Sequence, residues 1–300
     1  MESIFLIGGS GFIGKNLVEY LSGSYDIYVV DKYIDEVYFG QKPDVTTLKL
    51  DLENEQIPKN YITPDYIINL ASIVTAERDL SLFDGLISSN LKVLLNLYNR
   101  YKDDSKLKLF IQFGSSEEYG SEGSPFVETM RESPNSPYAL VKQMTVNTAL
   151  MLYQNYNFPA SIVRPGNLFG CYQNTNKFIP YVIHRLKNNE NLSVTFCEQK
   201  RDFIYAEDFA WCINKLIINY SKCIGEIINV SSGKSIALKD LIEYCKKEIG
   251  SKSEINYGAI PYRANEVMDL KCSTNKISNI IGEKINFDIK KRIKEYINRL

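Results

Sequence analysis

The segment that most restricts how this chain can fold is GGSGFIG, residues 8 to 14, set between an apolar run, SIFLIG (3 to 8), and a helix-like FIGKNLVEYLS (12 to 22). A strand that ends in glycines and turns at once into a helix brings bare backbone close to a pyrophosphate, at the helix end where N–H groups have no partner. Gly8, Gly11 and Gly14 carry the spacing, and Phe12 and Ile13 lie between the last two of them. The spacing alone could mark any tight turn; its place between strand and helix points to a dinucleotide. Asp31 closes the next apolar run, YDIYVVD (25 to 31), 31 − 14 = 17 positions after the last glycine. That is near the roughly 20-residue offset of a ribose-binding carboxylate. Such a group accepts hydrogen bonds from both adenosine ribose hydroxyls and repels a 2′-phosphate, which selects NAD over NADP; the bland alternative is a solvated strand end.

Further apolar runs follow: TLKL (47 to 50), DYIINLA (65 to 71), LKLFIQF (107 to 113) and FPASIVRP (158 to 165). Continuous apolar strands mean burial on both faces. Between two of them, residues 80 to 101 repeat Phe83, Leu86, Ile87, Leu91, Leu94, Leu97, Tyr98 and Tyr101 at helical spacing. The alternation predicts an α/β fold with a Rossmann-type, doubly wound parallel sheet. We expect residues 1 to 165 to form the dinucleotide-binding domain, with segments around 201 to 230 returning to it. Residues 166 to 300, in shorter pieces, are expected to form mainly a smaller α/β lobe.

The 300 residues are 44% hydrophobic, enough for a large core, and the charge is near balance, 35 basic against 36 acidic. There is no basic field for nucleic acid or an anionic membrane. The six cysteines form no C-x-x-C and His184 is the only histidine, so no metal site is expected; the thiols read as reduced, in a cytoplasmic protein. The opening MESIFLIGGSG does not read as a secretory signal, and no run approaches the roughly 20 apolar residues of a membrane span.

Two further stretches carry chemistry. In FGSSEEYG (113 to 120) an apolar strand ends in two hydroxyls and two carboxylates, as expected where a strand end lines a cleft. In NSPYALVKQM (135 to 144), Ser136 can cap a helix, Pro137 suits its first turn, and Tyr138 and Lys142 fall at i and i+4 on one face. A tyrosine has a pKa of about 10, and a fixed ammonium nearby favours its phenolate, which makes Tyr138 a usable base. Lys142 can also hold the nicotinamide ribose. In isolation the pair would be an ordinary helix surface pair; downstream of the glycine turn it reads as catalytic.

Together these stretches resemble, over almost the whole chain, the extended short-chain dehydrogenase/reductases of the NAD-dependent epimerase/dehydratase family that act on nucleotide sugars. GGSGFIG resembles the family's cofactor loop, Asp51-Leu52 its adenine contact, NLAS (69 to 72), with Leu70 and Ala71, its strand end by the cofactor, and Asn90 an asparagine of its fourth helix. The resemblance implies that Ser115 is the catalytic hydroxyl, with Tyr138 and Lys142 the Tyr-x-x-x-Lys pair, and that Ser116 and Asn167 (in RPGNLFG) contact substrate. KFIP, with Lys177, resembles a nucleotide-contacting helix start, and Arg201 and Arg263 resemble the arginines that meet the diphosphate. It implies a nucleotide-sugar substrate and a homodimer formed through the 80 to 101 helix and the helix of Tyr138.

Within the family the C-terminal half is most like the short 4-keto-sugar reductases of the CDP-abequose synthase type. The chain departs from them in two ways: those enzymes generally use NADPH, against the NAD implied by Asp31, and CEQK (197 to 200) stands where relatives carry glycines. The function implied is an NAD(H)-dependent 4-dehydrogenase or 4-keto reductase of surface-polysaccharide sugar biosynthesis, in which Tyr138 is the base, Ser115 positions the reacting hydroxyl, Lys142 tunes Tyr138 and Gly114 leaves a gap for substrate. Glu117 occupies the position of a glutamate that acts at C5 in the family's 4,6-dehydratases, so a dehydratase stays open, as does a C4 epimerase. The other reading of the acidic pair is a loop-shaping or solvated turn. A non-catalytic NAD-binding protein is a remote alternative.

Overall fold

The computed structural model describes residues 1–75, 77–121, 123–263 and 266–300. Six of its strands are the apolar runs of the sequence: β1 (Ser3–Ile7), β2 (Asp26–Asp31), β3 (Val45–Lys49), β4 (Tyr66–Asn69), β5 (Leu109–Phe113) and β6 (Ala160–Pro165). Later come β7 (Asn167–Phe169), β8 (Leu192–Val194), β9 (Lys200–Tyr205), β10 (Ile227–Val230), β11 (Ser235–Ala237), β12 (Ile255–Tyr257) and β13 (Asp269–Leu270). The main sheet has the order β10-β6-β5-β4-β1-β2-β3, and each neighbouring pair is parallel. Every residue of β1, β4 and β5 is buried, because helices cover both faces.

The helices of the chain are α1 (Phe12–Leu21), α2 (Glu36–Phe39), α3 (Phe83–Ile87), α4 (Val93–Tyr101), α5 (Pro137–Tyr156), α6 (Phe178–Lys187), α7 (Ala206–Ile218), α8 (Leu238–Ile249), α9 (Asn275–Ile281) and α10 (Ile289–Arg299). Leu17 of α1 and Ile213 of α7 pack on one face with Ile4 and Leu6; Leu94 of α4 and Val146 of α5 pack on the other with Phe5 and Ile67. The residues of one strand thus alternate between two cores.

The periodic segment 80–101 is interrupted: a π-turn, Ser88–Lys92, separates α3 from α4. Asn90 explains it, since its Nδ2 donates to Leu86 O at 2.9 Å, the acceptor its own N–H would use in an α-turn.

After β6 the chain builds a second, smaller layer. There β9 pairs with β7, β11 and β13, while β8 pairs with β12, and Ile183, Leu241 and Ile293 form the core beneath α6, α8 and α10. β10 returns to the main sheet beside β6, so this layer is interleaved with the first in sequence. Asp202 ties the two: one carboxylate oxygen accepts from Ser231 Oγ at 2.9 Å, Gly233 N at 3.0 Å and Cys272 N at 3.3 Å, the other from Ser232 N at 2.9 Å. Among the described residues no helix is long and apolar enough to cross a membrane.

Candidate active site

The strand order reverses between β1 and β4, and loops leaving a sheet in opposite directions part to form a crevice. The resulting cavity, about 590 Å³, runs from the Gly8–Gly14 turn past Ser115 and Tyr138 to Asn167, Lys177 and Phe203.

At its floor α5 begins where Ser136 accepts a hydrogen bond from Ala139 N at 3.1 Å and Pro137 fills the first turn. Tyr138 and Lys142 then share one face, both buried, with Lys142 Nζ 5.9 Å from the Tyr138 ring centroid and donating to Phe113 O at 3.1 Å. Ser115 follows β5, and its Oγ accepts from Glu117 N at 3.2 Å, which leaves the hydroxyl proton to donate elsewhere. Burial raises the Tyr138 phenol above the ordinary tyrosine range and Glu117 adds to the rise, while a hydrogen bond with Ser115 draws it back. Burial also lowers Lys142 to about 8, against the pull of Glu118. Buried and tied to a carbonyl, the amine is easier to neutralise than a free lysine but still mostly charged at neutral pH, and a hydrogen bond with Ser115 draws the Tyr138 phenol down.

The two carboxylates of GSSEEYG part company. Glu118 is fully buried; its Oε1 accepts from Ser115 N at 2.6 Å and its Oε2 from Arg164 Nε and Nη2 at 2.9 and 2.7 Å. A solvated acidic turn is thus ruled out for it. A Cβ at position 114 would lie 2.4 Å from Glu118 Oε1, so the space that Gly114 leaves holds this carboxylate and not substrate, a correction to the sequence reading. Glu117 lines the cleft, open to water within it yet surrounded by protein. Burial raises its pKa, opposed by the charges of Arg263, Arg78, Lys177 and Arg201.

A model of the NAD dependent epimerase/dehydratase family matches residues 4–231. The chain belongs to that family. It is 36% identical over 136 residues to a CDP-abequose synthase of Salmonella muenchen, a match that covers 45% of this chain and 46% of that one. To the CDP-abequose synthase of Salmonella typhimurium it is 26% identical across 100% of this chain and 98% of the relative. To a GDP-6-deoxy-D-talose 4-dehydrogenase of Aggregatibacter actinomycetemcomitans it is 25% identical across 99% and 98%. The fold is that of the UDP-glucuronic acid 4-epimerase of Bacillus cereus solved with UDP-glucuronic acid and NAD, at a TM-score of 0.90 and 20% identity, covering 99% of each chain.

A member of this family is an NAD-dependent enzyme that modifies nucleotide sugars, and the residues at the near end of the cleft fit NAD. Gly8 has φ +72°, and a Cβ on it would lie 2.8 Å from Ala71 N; one on Gly14 would lie 2.2 Å from Gly9 O. The turn has no room for side chains, and no side chain caps α1, so its first N–H groups remain open to a diphosphate. Asp31 is held at the rim by Ser10 N at 3.0 Å on Oδ2 and Tyr33 N at 3.1 Å on Oδ1, with lone pairs left on both oxygens. Asp51, fixed by Asn54 Nδ2 at 2.8 Å, lines the same end with Phe12, Ile13, Leu52, Leu70 and Ala71. Asn90 does not line the cleft; Ser89 of the same turn and Val93 at the start of α4 do, and Asn90 Oδ1 is buried without a partner among the described residues.

At the far end, Ser116, Asn167 and Lys177 line the cavity, and Asn167 Nδ2 donates to Asp202 O at 3.4 Å. Arg201 and Arg263 stand outside the lining: Arg201 pairs with Glu266 and donates to Val267 O at 2.6 Å, and Arg263 is exposed. Their charges nonetheless converge on Glu117. Arg78 and Arg164 escaped the sequence reading. Arg78 lies in a loop without periodicity; Arg164 had a signal, a charge at the end of an apolar strand.

Proposed function

We propose that the chain is an NAD(H)-dependent oxidoreductase acting at C4 of a nucleotide-activated sugar, a 4-dehydrogenase or 4-keto reductase of surface-polysaccharide sugar biosynthesis. The observation that carries this reading is the pairing of Ser115 with Tyr138 at the cleft floor while Glu118 is withdrawn, which leaves Glu117 as the only carboxylate of that turn in the cavity. Gly8, Gly11, Gly14, Asp31, Asp51 and Lys142 would hold NAD, which when bound supplies the hydride acceptor or donor and, oxidised, a positive ring that favours a phenolate nearby.

Tyr138 takes the proton of the C4 hydroxyl as that carbon is oxidised, and returns it in reduction. Ser115 donates to the same oxygen and fixes its distance from the phenol. Lys177, Arg201 and Arg263 offset the diphosphate charge, Asn167 and Ser116 contact the sugar, and residues 166–300 mainly bind the nucleotide sugar. The full-length likeness to a relative named as a 4-dehydrogenase supports the site of reaction. Dehydration asks for a base at C5 and an acid at the departing C6 hydroxyl. Glu117 alone favours that second reading, and Glu118, locked under Gly114, offers it no help.

The deciding experiment identifies the nicotinamide released on denaturation, follows its absorbance with CDP-, GDP-, dTDP- and UDP-sugars, and repeats turnover in D₂O. Glu117→Gln should keep substantial C4 redox activity, with no solvent deuterium entering the sugar ring at C5. A 4-keto-6-deoxy product labelled from solvent, abolished by Glu117→Gln, would replace this reading with the dehydratase.

The family resemblance also supports a homodimer through α4 and α5. Leu95, Leu140, Met144 and Met151 are exposed, the last three on one stripe of α5. Light scattering should give twice the chain mass for the wild type and once for Met144→Asp; a monomeric wild type refutes the dimer.

A further inference from the structure

Arg164, at the end of β6, is fully buried and heads the fully buried side chains by volume. Its guanidinium stacks 4.7 Å from the centroid of the Tyr119 ring and serves two carboxylates from different parts of the chain. Nε and Nη2 donate to Glu118 Oε2 at 2.9 and 2.7 Å, and Nη2 also donates to Glu132 Oε1 at 2.6 Å. Glu118 belongs to the turn that carries Ser115 and grips its backbone N–H at 2.6 Å. Glu132 belongs to the segment that leads into α5 and Tyr138, and the next residue, Ser133, donates its N–H to Glu118 O at 3.0 Å.

We propose that Arg164 is a positioning residue that couples the Ser115 turn to the Tyr138 segment, an inference that rests on the assignment of those two as the reacting pair. A buried ion triad is a poor source of stability compared with apolar packing, and Arg164 Nη1 lacks a partner among the described residues. What the triad does is fix geometry. Two parts of the connection from β5 to α5, the Ser115 turn and the segment before Tyr138, are referred to one immobile cation on β6, and the room for it exists because Gly114 has no side chain: a Cβ there would lie 2.4 Å from Glu118 Oε1 and 3.2 Å from Arg164 Cγ. The groups that shift Tyr138 are its burial, Glu117, Ser115 and Glu118, with neither Arg164 nor Glu132 among them. A change at Glu132 or Arg164 therefore reaches the phenol through the turn it places, which carries Ser115 and Glu118.

That route can be measured on the NAD-loaded enzyme without any sugar. The phenolate absorbance of Tyr138 is isolated by subtracting, for each protein, its Tyr138→Phe counterpart, and its midpoint is followed with pH while NAD affinity is recorded alongside. Ser115→Ala should raise the midpoint by about one pH unit, the worth of one lost hydrogen bond to a charged oxygen. Glu132→Gln, a partly exposed site that should fold, should raise it in the same direction, and Arg164→Lys should do so more strongly. In the Ser115→Ala background either change should add a clearly smaller rise, since effects that share a route do not sum. Midpoints unmoved by either substitution, or moved equally with and without Ser115, overturn the proposal. If Arg164→Lys loses NAD affinity, Glu132→Gln decides. Failure of every nucleotide sugar to turn over would instead overturn the C4 reading and leave this result standing.

Discussion

Tyr138 is buried, which disfavours its phenolate, and Ser115 is the neighbour that offsets part of the effect. Replacing the ring hydroxyl alone separates acid-base work from binding. Tyr138→Phe should lower turnover by roughly 10² or more and leave the NAD dissociation constant nearly unchanged, read by steady-state rates and by cofactor titration; unchanged turnover would remove Tyr138 from the mechanism. At this scale the sequence was a good guide wherever a residue's placement depends on local spacing. Tyr138 and Lys142 share a face because helical geometry leaves no choice, and a strand end by a switch point puts Ser115 in the cleft. The fate of Glu118 was not legible. Whether a carboxylate in a tight turn faces water or a buried guanidinium depends on Arg164, which is 164 − 118 = 46 positions away.

The turn after β5 shows how one small residue sets an element. Ser115 caps the single turn of 3₁₀ helix Ser116–Tyr119, and Glu118 reaches back to the Ser115 N–H, completing a capping box. That reach crosses the space above Gly114, where a Cβ would also meet Val146 Cγ2 at 3.0 Å. Gly114→Ala must push the carboxylate off both Ser115 and Arg164, leaving a buried charge poorly paired. We expect a loss of about 2–4 kcal/mol in denaturant unfolding together with lost turnover; a variant as stable as wild type would show that the turn can rearrange freely. The strands were legible because a parallel sheet buried on both faces demands uninterrupted apolar runs. The π-turn at Ser88–Lys92 was not, because the same apolar periodicity fits a straight helix. Only the contest between the Asn90 side chain and its backbone for Leu86 O distinguishes the two.

For the whole molecule, the site imposes a cost on folding that depends on pH. Lys142 is buried and its pKa is lowered from 10.5 to about 8 by that burial, so the unfolded chain holds this proton more tightly than the folded one. Below about pH 8 the amine is charged in both states, and folding must bury the charge. Between about 8 and 10.5 the folded amine is already neutral while the unfolded one still binds a proton, so the burden falls as pH rises. Above that window both are neutral and it is gone. Lys142→Met fills much the same volume without a charge, so it should be more stable than wild type at pH 7 by roughly 2–3 kcal/mol, with the difference shrinking steadily toward pH 10. Urea unfolding of the two proteins at several pH values measures this, and the comparison cancels every other titrating group. A difference that is flat with pH, or that grows as pH rises, would mean that Lys142 keeps its proton at ordinary cost in the fold.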